Sequence, residues 1–275
     1  MRTWFITGAS RGLGAAIAAH ALAAGDTVVA TARRPAAVHE RLGDGPGLCV
    51  LPLDVTNETQ AREAVAAAVA RCGRIDVLVN NAGHGLVGAV EEVSGAEAER
   101  LFVTNVFGLL NVTRAVLPVM RAQRSGHVLH MSSIGGCAAS SGFGIYCASK
   151  FAVEAIGEAM RIELGPLGIH VTLVEPGYFR TDFLDPSSLS SSALRIDDYH
   201  ATAGAVHHFV QGANGQQPGD PDRLAAAVMA AVNDDAPPLR LPLGADTVQK
   251  IEEKHRSVSA ELARWRPLSL STGFA

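Results

Sequence analysis

Cysteine is scarce in this 275-residue chain: there are four, Cys49, Cys72, Cys137 and Cys147, and no two form a C-x-x-C pair. That spacing excludes a disulfide framework and a paired-thiolate zinc site, and the four read as reduced, mostly buried thiols. Charged residues are few at 18%, and the formal net charge is −4. There is thus no basic field to attract nucleic acid or an anionic membrane surface. No apolar run reads as long enough for a membrane-spanning helix of about 20 residues. Met1-Arg2 pass straight into a strand-like run, which leaves no room for a signal peptide, so a cytoplasmic protein is expected. No internal repeat or linker divides the chain. With 48% hydrophobic residues, residues 1–275 are expected to build one domain around one sizeable core.

What the chain does have is alternation. Thr3–Thr7 reads as a short buried strand, followed by a Gly-rich turn, an Ala-rich helix to about Ala24 and a second apolar strand, Thr27–Ala32. Further strands are expected at 48–53, 75–80, 127–131, 170–174 and 239–243. Helices are expected at 58–71, Gly95–Gln123, 146–164 and 245–265, with another starting at Asp220-Pro221. Strands alternating with helices predict an α/β fold, a doubly wound Rossmann-type parallel sheet of about seven strands with helices on both faces. From 178 to 217 the composition turns Ser/Gly-rich around a helix-like segment, 199–210, which reads as a mobile substrate flap.

The first turn, Gly8-Ala9-Ser10-Arg11-Gly12-Leu13-Gly14, lies between strand and helix. A phosphate needs close backbone approach and a helix N-terminus at that place. After the second strand comes Ala32-Arg33-Arg34, with no acid to hydrogen-bond the 2′-hydroxyl of NAD. Arg33, with Arg11 inside the turn, suits the 2′-phosphate of NADP, so NADP(H) is expected over NAD(H). Asp54-Val55 ends the third strand. That acid could meet an adenine amino group or cap the helix starting near Glu58, with Thr56 or Asn57 as alternative caps.

A second group of residues carries proton chemistry. Tyr146 and Lys150 are four apart and share a face if Tyr146 opens a helix. An ammonium close to a phenol lowers its pKa from about 10 toward neutrality, which makes a usable general acid or base. Ser132 and Ser133 end the 127–131 strand, on the sheet edge where open α/β folds bind ligands. Asn105 sits in mid-helix in L-F-V-T-N-V-F; if buried, its amide must be satisfied. His207-His208 are adjacent, diverge on a helix and lack a third ligand, so no metal is expected.

Together these motifs resemble the short-chain dehydrogenase/reductase family in its compact single-domain branch. They are Thr7-Gly8-x-x-x-Gly12-x-Gly14, Asn80-Asn81-Ala82-Gly83, Asn105, Ser133, Tyr146-x-x-x-Lys150 and Pro176-Gly177 with Thr181 following. The resemblance implies a catalytic set of Asn105, Ser133, Tyr146 and Lys150. Tyr146 would exchange the proton at the substrate oxygen, Lys150 would bind the nicotinamide ribose, and Asn105 would hold a water linked to Lys150. It implies cofactor contacts at Gly8, Ser10, Arg11, Gly12, Leu13 and Gly14, at Asn81, Ala82 and Gly83, and at Pro176, Gly177 and Thr181. The stretches V-V-A-T-A-R-R-P and E-P-G-Y-F-R-T-D-F look like the 17-beta-hydroxysteroid-dehydrogenase-like members. The expected activity is interconversion of a carbonyl and a secondary alcohol on a largely apolar small molecule. Expected pocket walls are 84–90, 134–143, Tyr178, Phe179, Phe183, Tyr199 and Phe209. Association as a homodimer or homotetramer through the helices at 95–123 and 146–164 is also expected. An NAD-dependent alcohol dehydrogenase and a non-catalytic nucleotide sensor are the alternatives.

Overall fold

In the computed structural model, which describes residues 1–274, the elements follow in the order β1 (Thr3–Thr7), α1 (Gly12–Ala23), β2 (Thr27–Ala32), α2 (Pro35–Leu42), β3 (Leu48–Pro52), α3 (Glu58–Cys72), β4 (Val77–Asn80) and β5 (Gly85–Val87). Then come α4 (Gly95–Phe102), a π-helical turn (Val103–Gly108), α5 (Leu109–Gln123), β6 (Gly126–Met131), α6 (Ile134–Cys137), α7 (Gly144–Leu164) and β7 (Ile169–Pro176). The chain continues through β8 (Leu189–Ser191), α8 (Ala205–Ala213), α9 (Pro221–Asn233), β9 (Arg240–Leu243) and α10 (Ala245–Leu270). Seven strands form one sheet in the order β3-β2-β1-β4-β6-β7-β9, every pairing parallel. The order reverses between β1 and β4, so the strand ends on either side of that seam open a crevice for a ligand.

Strand β1 shows why both faces are covered. All five of its residues are buried, and successive side chains point to opposite faces. Trp4 and Ile6 join one apolar layer with Ile17 of α1 and Leu224 and Val228 of α9. Phe5 joins the other with Val65 of α3 and Val112 and Val116 of α5.

Four elements were not foreseen. Helix α2 starts at Pro35, a residue suited to the first helical turn. Helix α6 is four residues long. Strands β5 and β8 pair with each other outside the main sheet and are too short to show a period. One expectation needs correcting: by length and composition, the 29-residue helical run Gly95–Gln123 is apolar enough to cross a membrane. Its Leu109, Val112, Val116 and Met120 are instead buried inside the fold.

Candidate active site

The first turn is a cradle that tolerates little beyond glycine. Gly8 and Gly12 have φ of +65° and +56°, the left-handed region that glycine enters freely. At Gly14 the constraint is space: a Cβ there would sit 2.4 Å from Asn81 Nδ2 and 2.6 Å from the Gly8 carbonyl oxygen. Asn81 fills that space by donating to the carbonyls of Thr7, at 2.9 Å, and Gly8, at 3.1 Å. The Thr7 hydroxyl accepts from the backbone N–H groups of Asn81 and Ala82 at 2.9 and 3.0 Å. The β1 and β4 ends are thereby locked together, with the N-terminus of α1 facing the crevice.

A cavity of about 1070 Å³ runs along this edge. Every expected cofactor position except Gly14, and every expected catalytic position except Asn105, lines it. Gly14 lies behind the wall, against Asn81. Arg33 and Arg34 are exposed at the rim, but Arg11 is otherwise engaged. Its guanidinium donates to the Ser187 hydroxyl at 2.6 Å and the Ser187 carbonyl at 3.0 Å, so it ties the cradle to the segment after β7. Asp54 is not the helix cap: Asn57 caps α3 by accepting from Gln60 N–H. Asp54 instead accepts from Thr56 N–H and its hydroxyl at 3.0 and 2.8 Å.

Tyr146 and Lys150 lie in the first two turns of α7, which starts at Gly144 rather than at Tyr146. Lys150 Nζ is 5.9 Å from the Tyr146 ring centre and donates to the Met131 carbonyl at 2.7 Å. Ser133 caps α6, its hydroxyl accepting from Gly135 N–H at 3.0 Å. A Cβ built on Gly135 would come within 3.4 Å of the Tyr146 ring and 3.5 Å of the Ser133 hydroxyl, so both side chains converge on one spot. Phe143 and Phe183 flank the phenol, ring centres 6.0 and 5.7 Å away.

Burial acts on the charge of both groups. Removal from water pushes the Tyr146 phenol above its ordinary range, with the Ser133 hydroxyl pulling the other way. The same burial lowers Lys150 to about 8, with Glu154 opposing. Each desolvated group disfavours its charged form.

Asn105 is buried, at the centre of the π-helical turn. Its amide accepts from His84 N–H at 3.0 Å and donates to the His84 carbonyl at 2.9 Å and Ser149 Oγ at 3.2 Å. The requirement that a buried amide be satisfied is met. A Cβ on Gly83 would sit 3.1 Å from Asn105 Oδ1 and 3.8 Å from Lys150 Nζ, which places Gly83 between the two.

Among the expected walls, His84, Ile134, Gly135, Ser140, Phe143, Tyr178, Phe179 and Phe183 line the cavity; 85–90, the rest of 134–143, Tyr199 and Phe209 do not. The Tyr199 hydroxyl donates to Glu91 at 2.6 Å on the outer surface, and Phe209 packs edge-on behind Tyr178. Two supporting residues had no sequence signal. Ser149 bridges Asn105 to the Tyr146 carbonyl, donating to the latter at 2.7 Å. Asp246, read only as part of the last helix, accepts from Tyr178 N–H at 2.9 Å and abuts Gly177 so closely that a Cβ there would lie 2.2 Å from its carboxylate. The flap is pinned as well: Ser188 accepts from Gly85 N–H at 2.9 Å, and Glu92 accepts from Ile196 N–H at 2.9 Å.

Cys137, Glu154 and Glu175 place their side-chain ligand atoms within 4.8 Å of one another, a grouping the scattered cysteines did not announce. Arg240 Nε stands 3.5 and 3.6 Å from the two carboxylates. Burial pushes the Cys137 thiol and both acids up, so each favours its protonated form. His208 is exposed and His207 half-buried.

A family model described as short chain dehydrogenase matches residues 2–191. The chain belongs to the short-chain dehydrogenase family. This short-chain dehydrogenase, an oxidoreductase, is 38% identical over 254 residues to a 3-ketodihydrosphingosine reductase of Bacteroides thetaiotaomicron, covering 92% of this chain and 91% of that one. A short-chain dehydrogenase from Streptomyces avermitilis superposes with a TM-score of 0.92 at 42% identity, covering 99% and 98% of the two chains. A serine dehydrogenase complexed with NADP+ superposes at 0.74 with 27% identity, covering 88% and 94%.

Proposed function

We propose that this short-chain dehydrogenase interconverts a carbonyl and a secondary alcohol on a largely apolar small molecule, with NADP(H) as cofactor and Tyr146 as the proton-transferring group. The observation that carries the reading is the convergence of Ser133, Tyr146 and Lys150 on one spot of the cavity that also receives the glycine cradle. The cradle fits a dinucleotide: Gly8 and Gly12 hold conformations side chains resist, and the α1 N-terminus points its free N–H groups at the place for a phosphate. Hydride transfer is the chemistry such a cofactor supplies. The protein's task is the proton. Burial keeps the Tyr146 phenol protonated near pH 7, the form that donates to a carbonyl oxygen as charge develops there, while the Ser133 hydroxyl stabilises that charge. Lys150 stays mostly charged at neutral pH with its pKa near 8.

The apolar substrate follows from the aromatic rings and Leu184 beside Tyr146, as ligand pockets are commonly lined. The NADP(H) preference rests on Arg33 and Arg34 at the cavity rim with Ala32, not an acid, at the end of β2. One relative is named a 3-ketodihydrosphingosine reductase; of the solved neighbours one holds NADP+ and another, of the same fold, NAD. Titration with NADPH and NADH, followed by reduced-nicotinamide fluorescence, tests the reading without a substrate. NADPH is expected to bind at least about tenfold tighter, or about 1.4 kcal/mol. Tighter NADH binding would reduce Arg33 to a surface charge and favour the NAD-dependent alcohol dehydrogenase. No binding of either would defeat the enzyme reading.

A further inference from the structure

Helix α10 leaves the body of the protein. Its first turn is held by Asp246 against Tyr178 and by the buried Thr247. From Glu252 to Leu270 every residue is exposed. A helix of that length in water gains little from propensity alone, because helical stability in proteins comes mainly from packing an apolar face. Such a face exists. Val248, Ile251, His255, Val258, Leu262 and Trp265 follow one another at intervals of three, four, three, four and three residues, the spacing of a seam between two helices. Val248, Val258, Leu262 and Trp265 are 44–57% exposed in the single chain.

We propose that this seam pairs antiparallel with α10 of a second copy of the chain. A two-fold axis between Arg256 and Ser257 sets Val248 against Trp265 of the second copy, Ile251 against its Leu262 and His255 against its Val258. In that register the flanking Lys254 faces Glu261 of the second copy, and Glu261 faces its Lys254. Opposite charges at such flanking positions set partner and orientation. Among the described residues neither Lys254 nor Glu261 has an ion-pair partner within its own chain, whereas Lys250 pairs with Glu253 and Arg256 with Glu252. A self-complementary patch of this kind is what a two-fold contact requires. The alternative occupant, a lipid surface, is disfavoured by charge. Residues 245–270 carry five Lys and Arg against four Asp and Glu, and helices lying on anionic membranes are rich in cations on the polar face.

Light scattering and sedimentation of the full chain test the pairing, with far-UV circular dichroism and NADPH binding confirming that each variant is folded. The unaltered protein is expected at twice the chain mass or a higher multiple, and Leu262→Lys should halve it. Lys254→Glu and Glu261→Lys should each raise the dissociation concentration at least tenfold at low salt. The double variant, with the charges exchanged, should restore association. Four results would each overturn the proposal: a monomeric unaltered protein at tens of micromolar, an unchanged mass for Leu262→Lys, failure of the charge exchange to restore association, or monomers whose α10 binds anionic vesicles instead.

Discussion

At the scale of single residues, two substitutions separate the chemistry from the cradle. Tyr146→Phe keeps the ring between Phe143 and Phe183 and removes only the hydroxyl. Turnover should fall by about 10²–10⁴, the usual worth of a positioned acid or base, with the NADPH dissociation constant moving less than about twofold. A mutant that retains turnover would remove Tyr146 from the mechanism. Gly14→Ala does the reverse. Its added carbon lands on Asn81 and the Gly8 carbonyl, both fixed by hydrogen bonds, so neither can give way. Overpacking of this kind costs about 1–3 kcal/mol. Thermal melting should show that loss, and cofactor binding should weaken because the turn itself must move.

At the scale of elements, the π-helical turn between α4 and α5 is the irregularity that serves the site. The extra residue in such a turn breaks the regular ladder, as π-bulges at functional sites commonly do, and here Asn105 reaches across to the His84 backbone. The flap is a second case. Its Ser-rich composition suggested free movement, yet Glu92 holds it by accepting from both Ala89 and Ile196 N–H groups, bonds that keep this acid below its usual pKa. Glu92→Ala should therefore speed proteolysis within 178–217 several-fold and raise the substrate KM, while NADPH affinity changes little. Limited digestion with and without cofactor measures it. Equal cleavage rates in the two proteins would show that the flap is anchored elsewhere.

At the scale of the whole molecule, the Glu154–Glu175 pair links α7, β7 and, through Arg240, the edge strand β9. Burial first, and then the neighbouring Glu154, raise Glu175 to about 7, against about 4.3 for a free glutamate. The folded protein thus holds a proton that the unfolded chain releases. The stability this contributes is complete below about pH 4.3 and is lost as pH rises through about 7. The melting temperature should decline from about pH 5.5 to 8, and Glu175→Gln, which cannot ionise, should flatten that decline. Parallel profiles for the two proteins would sink the assignment.

The sheet and most of the site were legible in the chain because their signals are local. An apolar run such as Thr3–Thr7 between turn residues, glycines between strand and helix, and a Tyr–Lys pair one turn apart each depend on neighbours in sequence. The parallel sheet of seven strands accords with that reading, and Ser133 lies beside Tyr146, the pairing the resemblance implied. Tertiary structure decided whatever depends on residues far apart. Arg11 turned to Ser187, 176 positions away, although its place in the glycine turn suggested a phosphate. The β5–β8 pairing joins two three-residue strands about a hundred residues apart, and Asp246 reached Tyr178 from the last helix. Burial decided the charges. A sequence shows that a phenol and an ammonium are neighbours, but only the packed fold sets how much water each loses, and for Tyr146 that loss outweighs the lowering by the Ser133 hydroxyl.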